Sequence, residues 1–327
     1  MQIRVAQPAA ALGALLLSLA ALVAHAAQPA SWTLVDLGTL GGSASYGAAL
    51  SDEGYVAGCS LTTSGAVHAF VYRDGTMVDL VPAGEAGDSC ALAVNDRGVA
   101  AGRSGSGELV AWTGSAITHL GVKGNVGAIN DRGEIAGSYA TGAGDRAFLY
   151  RDGALLDLGA LAPGASSAAL AVNDRGEVVG QSNGHAFLYR EGLMRDLGTL
   201  GGANSIAKGI NDRGEIVGMA SDAHGVPTPF LYDGAMRALP GPSESGAIDI
   251  NQRGIIVGSG EGVYGYVLAR DTVTRLQSLP EAAAKGWHHF EPTGINDRGW
   301  IVGTAFDATG EPRAFLLVPG GGLARSR

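Results

Sequence analysis

The sequence predicts an all-β fold with many tight turns, and three observations lead to that prediction. Glycine supplies 53 of the 327 residues, more than twice its usual share of about 7%, and glycine inside a helix costs about 1 kcal/mol relative to alanine. Hydrophobic residues make up 46% of the chain, enough to bury a core, which argues against disorder. Short apolar runs alternate with Asn, Asp and Gly turn signals, as in folds built from many short strands.

A repeated tetrad divides the chain into similar units. Asn-Asp-Arg-Gly occurs five times, two relaxed copies complete the series, and the closing glycines lie 44, 35, 43, 38, 40 and 45 residues apart. Each closing glycine is followed four residues later by another glycine. Such regular spacing is the signature of a repeat architecture. The seven tetrads are Ser51–Gly54, Asn95–Gly98, Asn130–Gly133, Asn173–Gly176, Asn211–Gly214, Asn251–Gly254 and Asn296–Gly299.

Each unit contains the signals of four short antiparallel strands. Apolar residues flank every tetrad, which is typical of a hairpin whose turn opens with Asn and closes with a left-handed Gly. A second hairpin follows in most units, as where His185–Tyr189 runs into Arg190-Glu191-Gly192. The strands are continuous apolar runs, so both faces of each sheet should be covered. Packing around an axis as a β-propeller, with four strands per blade, meets that requirement, whereas a β-solenoid does not need two hairpins per repeat.

The two ends of the chain predict a seven-bladed β-propeller closed by its N-terminal strand. The last unit ends after Arg313–Leu316 without a fourth strand, whereas Trp32–Gly38 supplies an extra strand before the first tetrad. Asp36–Gly42 is identical to Asp196–Gly202, which closes another unit. Pairing the N-terminal strand with the last blade would cover its open edge. We expect one propeller domain over residues 31–318 and a flexible C-terminal tail over residues 319–327.

Residues 1–26 are predicted to be a signal peptide. Arg4 precedes an uncharged apolar stretch over Ala9–Ala24, and Ala24-His25-Ala26 gives a small-x-small cleavage pattern. The stretch is short for a membrane-spanning helix, which needs about 20 residues, so a permanent anchor is the less favoured alternative. We therefore expect a mature chain without a membrane span, exported to the periplasm or the extracellular space.

Three motifs recur within the units: Asn-Asp-Arg-Gly-Glu-Ile/Val-Val-Gly, His-Ala-Phe at His68 and His185, and Asp-Leu-Gly-Thr-Leu-Gly-Gly at Asp36 and Asp196. Together they resemble the bacterial extracellular HAF-repeat family. The second unit departs from the pattern, because Leu109–Trp112 replaces the His-Ala-Phe strand. The resemblance implies export and a repeat architecture, since the family is defined by its repeat and not by an activity.

Variation between the units indicates two places where a function could reside. Both tight turns of a unit should fall at one end of the fold, and the variable connections at the other end. Variable loops on one face of a repeat protein usually form its binding surface. The longest connection, Gln277–Thr293, holds two histidines, an aromatic residue and an acid. Asp249 stands where the other units have alanine or glycine, which would place a carboxylate in the central channel. The candidate ligand-binding residues are Asp249, Trp287, His288, His289 and Glu291.

Other conspicuous side chains receive structural interpretations. His68 and His185 occupy a position that arginine or threonine takes elsewhere, so we expect polar residues at strand edges. Each tetrad offers about one carboxylate, whereas a calcium loop needs several within one segment, so no metal or cofactor is predicted. Cys59 and Cys90 should lie toward the variable end of adjoining units, where an oxidising compartment permits a disulfide. A pair of free buried thiols is the alternative.

These features predict an exported, non-enzymatic binding or interaction module that uses the variable-loop face. The net charge of −9 argues against nucleic acid as a partner, because phosphate binding requires a basic patch. An extracellular glycan, peptide or surface protein remains. A polysaccharide hydrolase or lyase is one alternative, and it would require Asp249, Glu291 and His288 to lie within hydrogen-bonding reach of one another. A surface or adhesion component is the other.

Overall fold

The computed structural model describes residues 31–82, 87–260 and 264–320. Within these ranges the chain is all-β apart from a 3₁₀ helix, Leu276–Ser278, and one α-helix, α1 (Pro280–Lys285). Among the residues described, neither helix has the length and hydropathy of a membrane span. The predicted signal peptide over residues 1–26 lies outside the described residues, as does segment 321–327 of the predicted tail.

The strands are short and every named pair of neighbouring strands is antiparallel. In chain order they are β1 (Trp32–Asp36), β2 (Gly41–Leu50), β3 (Val56–Thr62), β4 (Val67–Arg73), β5 (Thr76–Asp79), β6 (Cys90–Val94), β7 (Val99–Arg103), β8 (Glu108–Thr113), β9 (Ala116–Ile129), β10 (Ile135–Thr141), β11 (Gly144–Arg151), β12 (Ala154–Gly159), β13 (Ser167–Val172), β14 (Val178–Ser182), β15 (His185–Arg190), β16 (Leu193–Asp196), β17 (Gly201–Ile210), β18 (Ile216–Asp222), β19 (Pro227–Tyr232), β20 (Met236–Ala238), β21 (Ser245–Ile250), β22 (Ile256–Gly260), β23 (Tyr264–Ala269), β24 (Thr272–Arg275), β25 (His288–Ile295), β26 (Ile301–Phe306) and β27 (Pro312–Pro319).

Most units form one four-stranded sheet in chain order: β2–β5, β13–β16, β17–β20 and β21–β24. Strands β6–β12 instead form one seven-stranded sheet, because the 14-residue β9 pairs with β8 through its first part and with β10 through its second. This is where two tetrads lie closest in sequence, 35 residues apart from Gly98 to Gly133. The short interval leaves no residues for a separate connection, so β9 is both the fourth strand of the second unit and the first strand of the third.

The N-terminal strand β1 lies in the same sheet as the C-terminal strands β25, β26 and β27. It pairs with β27 in a register that runs from Trp32 opposite Pro319 to Asp36 opposite Phe315. The Arg313 guanidinium lies 2.9 Å from the Asp36 carboxylate. The same kind of pair joins third and fourth strands within other sheets, as between His68 and Asp79 at 2.7 Å. The first strand therefore fills the position of a fourth strand in the last sheet.

The tetrads form hairpin turns whose geometry explains their composition. The Gly176 N–H donates to the Asn173 carbonyl at 3.0 Å, and the Asn173 Oδ1 accepts from the N–H groups of Arg175 and Glu177 at 3.1 and 3.0 Å. Gly176 has φ of 76°, in the left-handed region that glycine adopts without strain. Asn therefore opens the turn by accepting two backbone bonds, and Gly closes it.

The glycine four residues after each tetrad makes room for the core. Gly180 on β14 lies opposite Phe187 on β15, and an added Cβ at Gly180 would lie 1.9 Å from the Ala168 carbonyl oxygen. The residues opposite these glycines are buried, and hydrophobic clusters combine side chains of consecutive units. These facing residues are Phe70, Val110, Phe148, Phe187, Phe230, Tyr266 and Phe315.

Candidate functional site

Side-chain hydrogen bonds join the tetrad turns of consecutive units. The Asn173 Nδ2 donates to the Asn211 carbonyl at 3.1 Å, and the Asn296 Nδ2 donates to the Ser51 carbonyl at 2.9 Å. The last tetrad is thus bonded to the first. Equivalent bonds start at Asn95, Asn130, Asn211 and Asn251.

A second series of bonds uses the side chain at the second position of the tetrads, which is an aspartate in six of the seven and Gln252 in the other. The Asp174 N–H donates to the Asp212 Oδ1 at 2.9 Å, and the Asp297 N–H to the Asp52 Oδ1 at 2.6 Å. The Glu53 N–H donates to Asp96 at 2.8 Å, which connects the first and second units. The acidic turns therefore have structural partners, in agreement with their interpretation as turn-stabilising residues.

The residues at the second position of the tetrads line a small cavity, of about 200 Å³, at the end of the fold where the tetrad turns lie. Desolvation, reinforced by the charges of neighbouring aspartates, raises the pKa of Asp52 to about 6. Gln252 replaces one acid and its amide donates to Asp212 at 2.9 Å, which removes one negative charge from the group. Within the described ranges, no set of three or more His, Cys, Asp or Glu residues is arranged to hold a metal ion. The acids are Asp52, Asp96, Asp131, Asp174, Asp212 and Asp297.

A larger cavity, of about 500 Å³, lies beside this acidic group, and we call it the inner cavity. The strands that lead into the tetrads build its wall. Each of these strands has a β-bulge three residues before its tetrad. A bulged residue is left out of the pairing ladder and its side chain is redirected. All seven bulged residues line the inner cavity: Ala48, Leu92, Gly127, Leu170, Lys208, Ile248 and Thr293.

Lys208 is the bulged residue that carries a positive charge. Its side chain is half-buried, and burial lowers the pKa of its ammonium group below the ordinary value. No hydrogen bond or ion pair to the Lys208 ammonium occurs within the part of the chain that the structure describes. Lys208 was not among the predicted site residues, although the sequence shows it as the one charged residue among seven equivalent positions.

Asp249 lies in the wall of the inner cavity and is held by two backbone N–H groups. Its Oδ1 accepts from Ile250 at 2.8 Å, and its Oδ2 accepts from Ile295 on β25 at 2.9 Å. Glycine on both sides makes room for it, since a Cβ at Gly209 would lie 2.9 Å from the Asp249 Cα and one at Gly294 would lie 3.6 Å from its Oδ2. Asp249 therefore connects two neighbouring strands, and desolvation raises its pKa to about 6 despite these bonds.

Replacing Asp249 by Asn is expected to flatten the pH dependence of stability. With a pKa of about 6 when folded against 3.8 for the ordinary side chain, the folded protein binds the extra proton between those values. The wild-type free energy of unfolding should therefore fall as pH rises through this window, by at most about 3 kcal/mol from this group. Urea unfolding at pH 4 and pH 7.5 measures the effect. Parallel pH curves for wild type and variant would contradict it.

The residues predicted in the longest connection divide between core and surface. Trp287 is buried in a cluster with Trp32, Leu279 and Phe290, and the Trp32 N–H donates to Glu281 of α1 at 3.3 Å. This part of the connection therefore covers the junction between the last two sheets and β1.

His288 and His289 are exposed and lie against Phe306 on β26. Their ring centroids are 5.9 and 5.8 Å from that of Phe306, and 5.0 Å from each other. Glu291 is exposed on β25, opposite Thr304. No hydrogen bond among the described residues joins Asp249, Glu291 and His288, so the arrangement that an enzyme was expected to require is not present there.

The cysteines and the motif histidines have structural partners. Cys59 on β3 and Cys90 on β6 form a disulfide between the first unit and the second. His68 pairs with Asp79 and His185 with Asp196, at 2.7 and 2.8 Å. His68 lies near the start of β4 and His185 begins β15. Polar residues at strand edges were expected at these positions, and their pairing with the acid of the neighbouring fourth strand was not.

Comparison with known proteins identifies the fold. No protein-family model matches the chain, and no curated protein sequence matches it. The chain is similar to the β-propeller domain of the Trilobed protease from Pyrococcus furiosus, described as having an open velcro topology, with a TM-score of 0.56 and 9% identity over 92% of this chain and 100% of that one. It is also similar to the oligogalacturonate lyase of Vibrio parahaemolyticus, with a TM-score of 0.54 and 11% identity over 90% of this chain and 100% of the lyase chain. A third similar structure is YCF48 bound to D1 peptide, with a TM-score of 0.54 and 13% identity over 88% of this chain and 96% of the YCF48 chain. The chain therefore has a β-propeller fold.

Proposed function

We propose that this chain is an exported ligand-binding module built on a closed, seven-bladed β-propeller. Two observations support the closed ring: β1 occupies the fourth-strand position beside β27, and the tetrad hydrogen bonds continue from Asn296 to Ser51. Residues 1–26 and the resemblance to HAF repeats support export. The Cys59–Cys90 disulfide is in keeping with an oxidising compartment.

The inner cavity is the observation that carries the binding function. Its volume of about 500 Å³ lies within the range of about 300–1,000 Å³ typical of ligand pockets. Small and aliphatic side chains from seven strands form most of its wall, with Lys208, Asp249 and Thr293 as the polar members. An apolar pocket with a few placed polar groups is the usual form of a small-molecule site.

A ligand should enter from the face that carries the variable connections. The opposite end carries the tetrad turns, whose acidic group around Asp52 would repel an anionic ligand. The variable face carries the exposed rings of His288 and His289 against Phe306, a patch suited to contact a larger partner. Among proteins of this fold, YCF48 binds a peptide, so an extracellular peptide is the larger partner to screen first at this patch, followed by glycans.

A binding screen with a filled cavity tests this proposal. Ala48→Phe adds bulk at a bulge where the second and fourth units already have Leu92 and Leu170, so the fold should tolerate it. Ligands from a library of peptides, oligosaccharides and small amphiphiles should raise the melting temperature of the wild type. Ala48→Phe should weaken binding at least about tenfold, or about 1.4 kcal/mol.

Val78→Phe is the matched control, because Val78 is 52% exposed on the outer strand β5. It should bind like the wild type. The proposal is wrong if nothing in the library binds, or if the ligands that bind are unaffected both by Ala48→Phe and by His288→Ala combined with Phe306→Ala.

A further inference from the structure

The bulge positions of the inner cavity differ sharply in chemistry. Five of the seven are glycine or apolar residues, and Thr293 adds a hydroxyl. Lys208 alone among these seven positions carries a charge. An ammonium on a four-carbon stem is long enough to reach different points of such a cavity.

The ammonium of Lys208 has no acceptor of its own in the described structure. The other ionisable residue of the wall is Asp249, whose two oxygens already accept bonds from Ile250 and Ile295. No ion pair within 4.0 Å joins Asp249 to Lys208 among the described residues. The Lys208 side chain is half-buried in a mainly aliphatic wall. A charge that is partly withdrawn from water is stabilised by an ionic partner, so a bound anion would gain from pairing with this ammonium.

We infer that the inner cavity binds an apolar carboxylic acid, whose carboxylate pairs with Lys208 and whose hydrocarbon body lies against Leu92, Leu170 and Ile248. This inference rests on the proposed function and names the ligand class of its cavity. Lys208 forms no ion pair with Asp249 among the described residues, so its single charge is available to one carboxylate, and an ammonium–carboxylate hydrogen bond is stronger than one between neutral groups.

Two other ligand classes fit the cavity less well. A phosphate group carries more charge and needs several donors, whereas Lys208 is the one cation among the described residues of the wall. A sugar needs polar partners along its whole length, and the aliphatic wall does not offer them. The carboxylates of the turn end, such as Asp52 and Asp96, oppose the approach of an anion from that side, so the acid should enter from the variable face.

Calorimetric titration with decanoate, below its micellar concentration, tests the inference. The wild type should bind decanoate, and Lys208→Met, which keeps the length of the side chain without its charge, should bind it at least tenfold more weakly. Lys285→Met is the matched control, because Lys285 is exposed on α1, and it should bind like the wild type. Decanol, which has the same chain without the charge, should not distinguish Lys208→Met from the wild type.

Chemical labelling gives a second readout that does not depend on a variant. The sequence has three lysines, Lys123, Lys208 and Lys285, so peptide mapping after acetylation resolves each one. Decanoate should protect Lys208 from acetylation and leave Lys123 and Lys285 unprotected.

The possible results separate this inference from the proposed function. Equal decanoate affinity in wild type and Lys208→Met, or no protection of Lys208, would overturn the carboxylate site. If decanoate does not bind while a library ligand is lost with Ala48→Phe, the ligand class is wrong and the binding module stands. If neither binds, both proposals are wrong.

Discussion

A chain that begins at residue 38 is expected not to fold cooperatively, whereas a chain that begins at residue 27 should. The truncation removes β1, whose Trp32 and Leu34, with the following Leu37, are 4–7% exposed. Burying side chains of this size contributes about 1.5–3 kcal/mol each. Their combined loss approaches the whole stability of a typical domain, about 5–15 kcal/mol. It also leaves the backbone of β27 without a partner on one edge.

Circular dichroism during heating and during urea titration measures this effect. The chain from residue 27 should show one cooperative transition, and the chain from residue 38 should show none or aggregate. A cooperative transition of similar midpoint in both chains would contradict the role assigned to β1.

Gly180→Ala is expected to destabilise the fold by about 3 kcal/mol, at the upper end of typical overpacking costs. The added Cβ would lie 1.9 Å from the backbone carbonyl oxygen of Ala168, so the inner two strands of this sheet would have to separate. Backbone cannot move aside as the end of a flexible side chain can. Urea unfolding measures the change in the free energy of unfolding.

Gly142→Ala is the matched control for this substitution. Gly142 is exposed, has no atom within 4 Å of an added Cβ, and does not have a positive φ. Its replacement should change stability by no more than about 0.5 kcal/mol, as is usual for surface positions. Equal effects at the two glycines would show that the close approach at Gly180 does not constrain the sheet.

The turns and strand pairings could be predicted because they depend on local chemistry that recurs in every unit. Asn173 and Gly176 belong to a turn that four residues specify almost alone. The N-terminal strand could be predicted to replace the missing fourth strand of the last unit, because Asp36–Gly42 repeats Asp196–Gly202. Why glycine is needed at positions such as Gly180 could not be predicted. The need depends on a backbone carbonyl of the neighbouring strand and on an aromatic ring opposite the glycine.

The candidate site was only partly predictable. Comparison of the units identified Asp249. Lys208 is equally distinct at its own position, but that this position faces the cavity depends on a β-bulge that interrupts the alternation of side chains along β17. Trp287 was selected as a ligand contact, and the structure places it in the core beside Trp32. Sequence alone does not tell which side of a long connection turns inward. The enzyme alternative depended on residues that no described hydrogen bond brings together.

The closed ring is the claim on which the inner cavity depends, and an engineered cross-link between its two ends tests it most directly. Leu34 on β1 lies opposite Leu317 on β27, and opposed residues of antiparallel strands have Cα atoms about 4.5–5.5 Å apart, within the range of about 4.4–6.8 Å that a disulfide spans. A protein with Leu34→Cys and Leu317→Cys should form an intramolecular disulfide, found by non-reducing peptide mapping. Leu34→Cys with Leu231→Cys, on the distant strand β19, should not. Two reduced thiols at positions 34 and 317, found when the folded monomer is exposed to oxidant and then denatured and alkylated, would contradict a ring closed by its N-terminal strand.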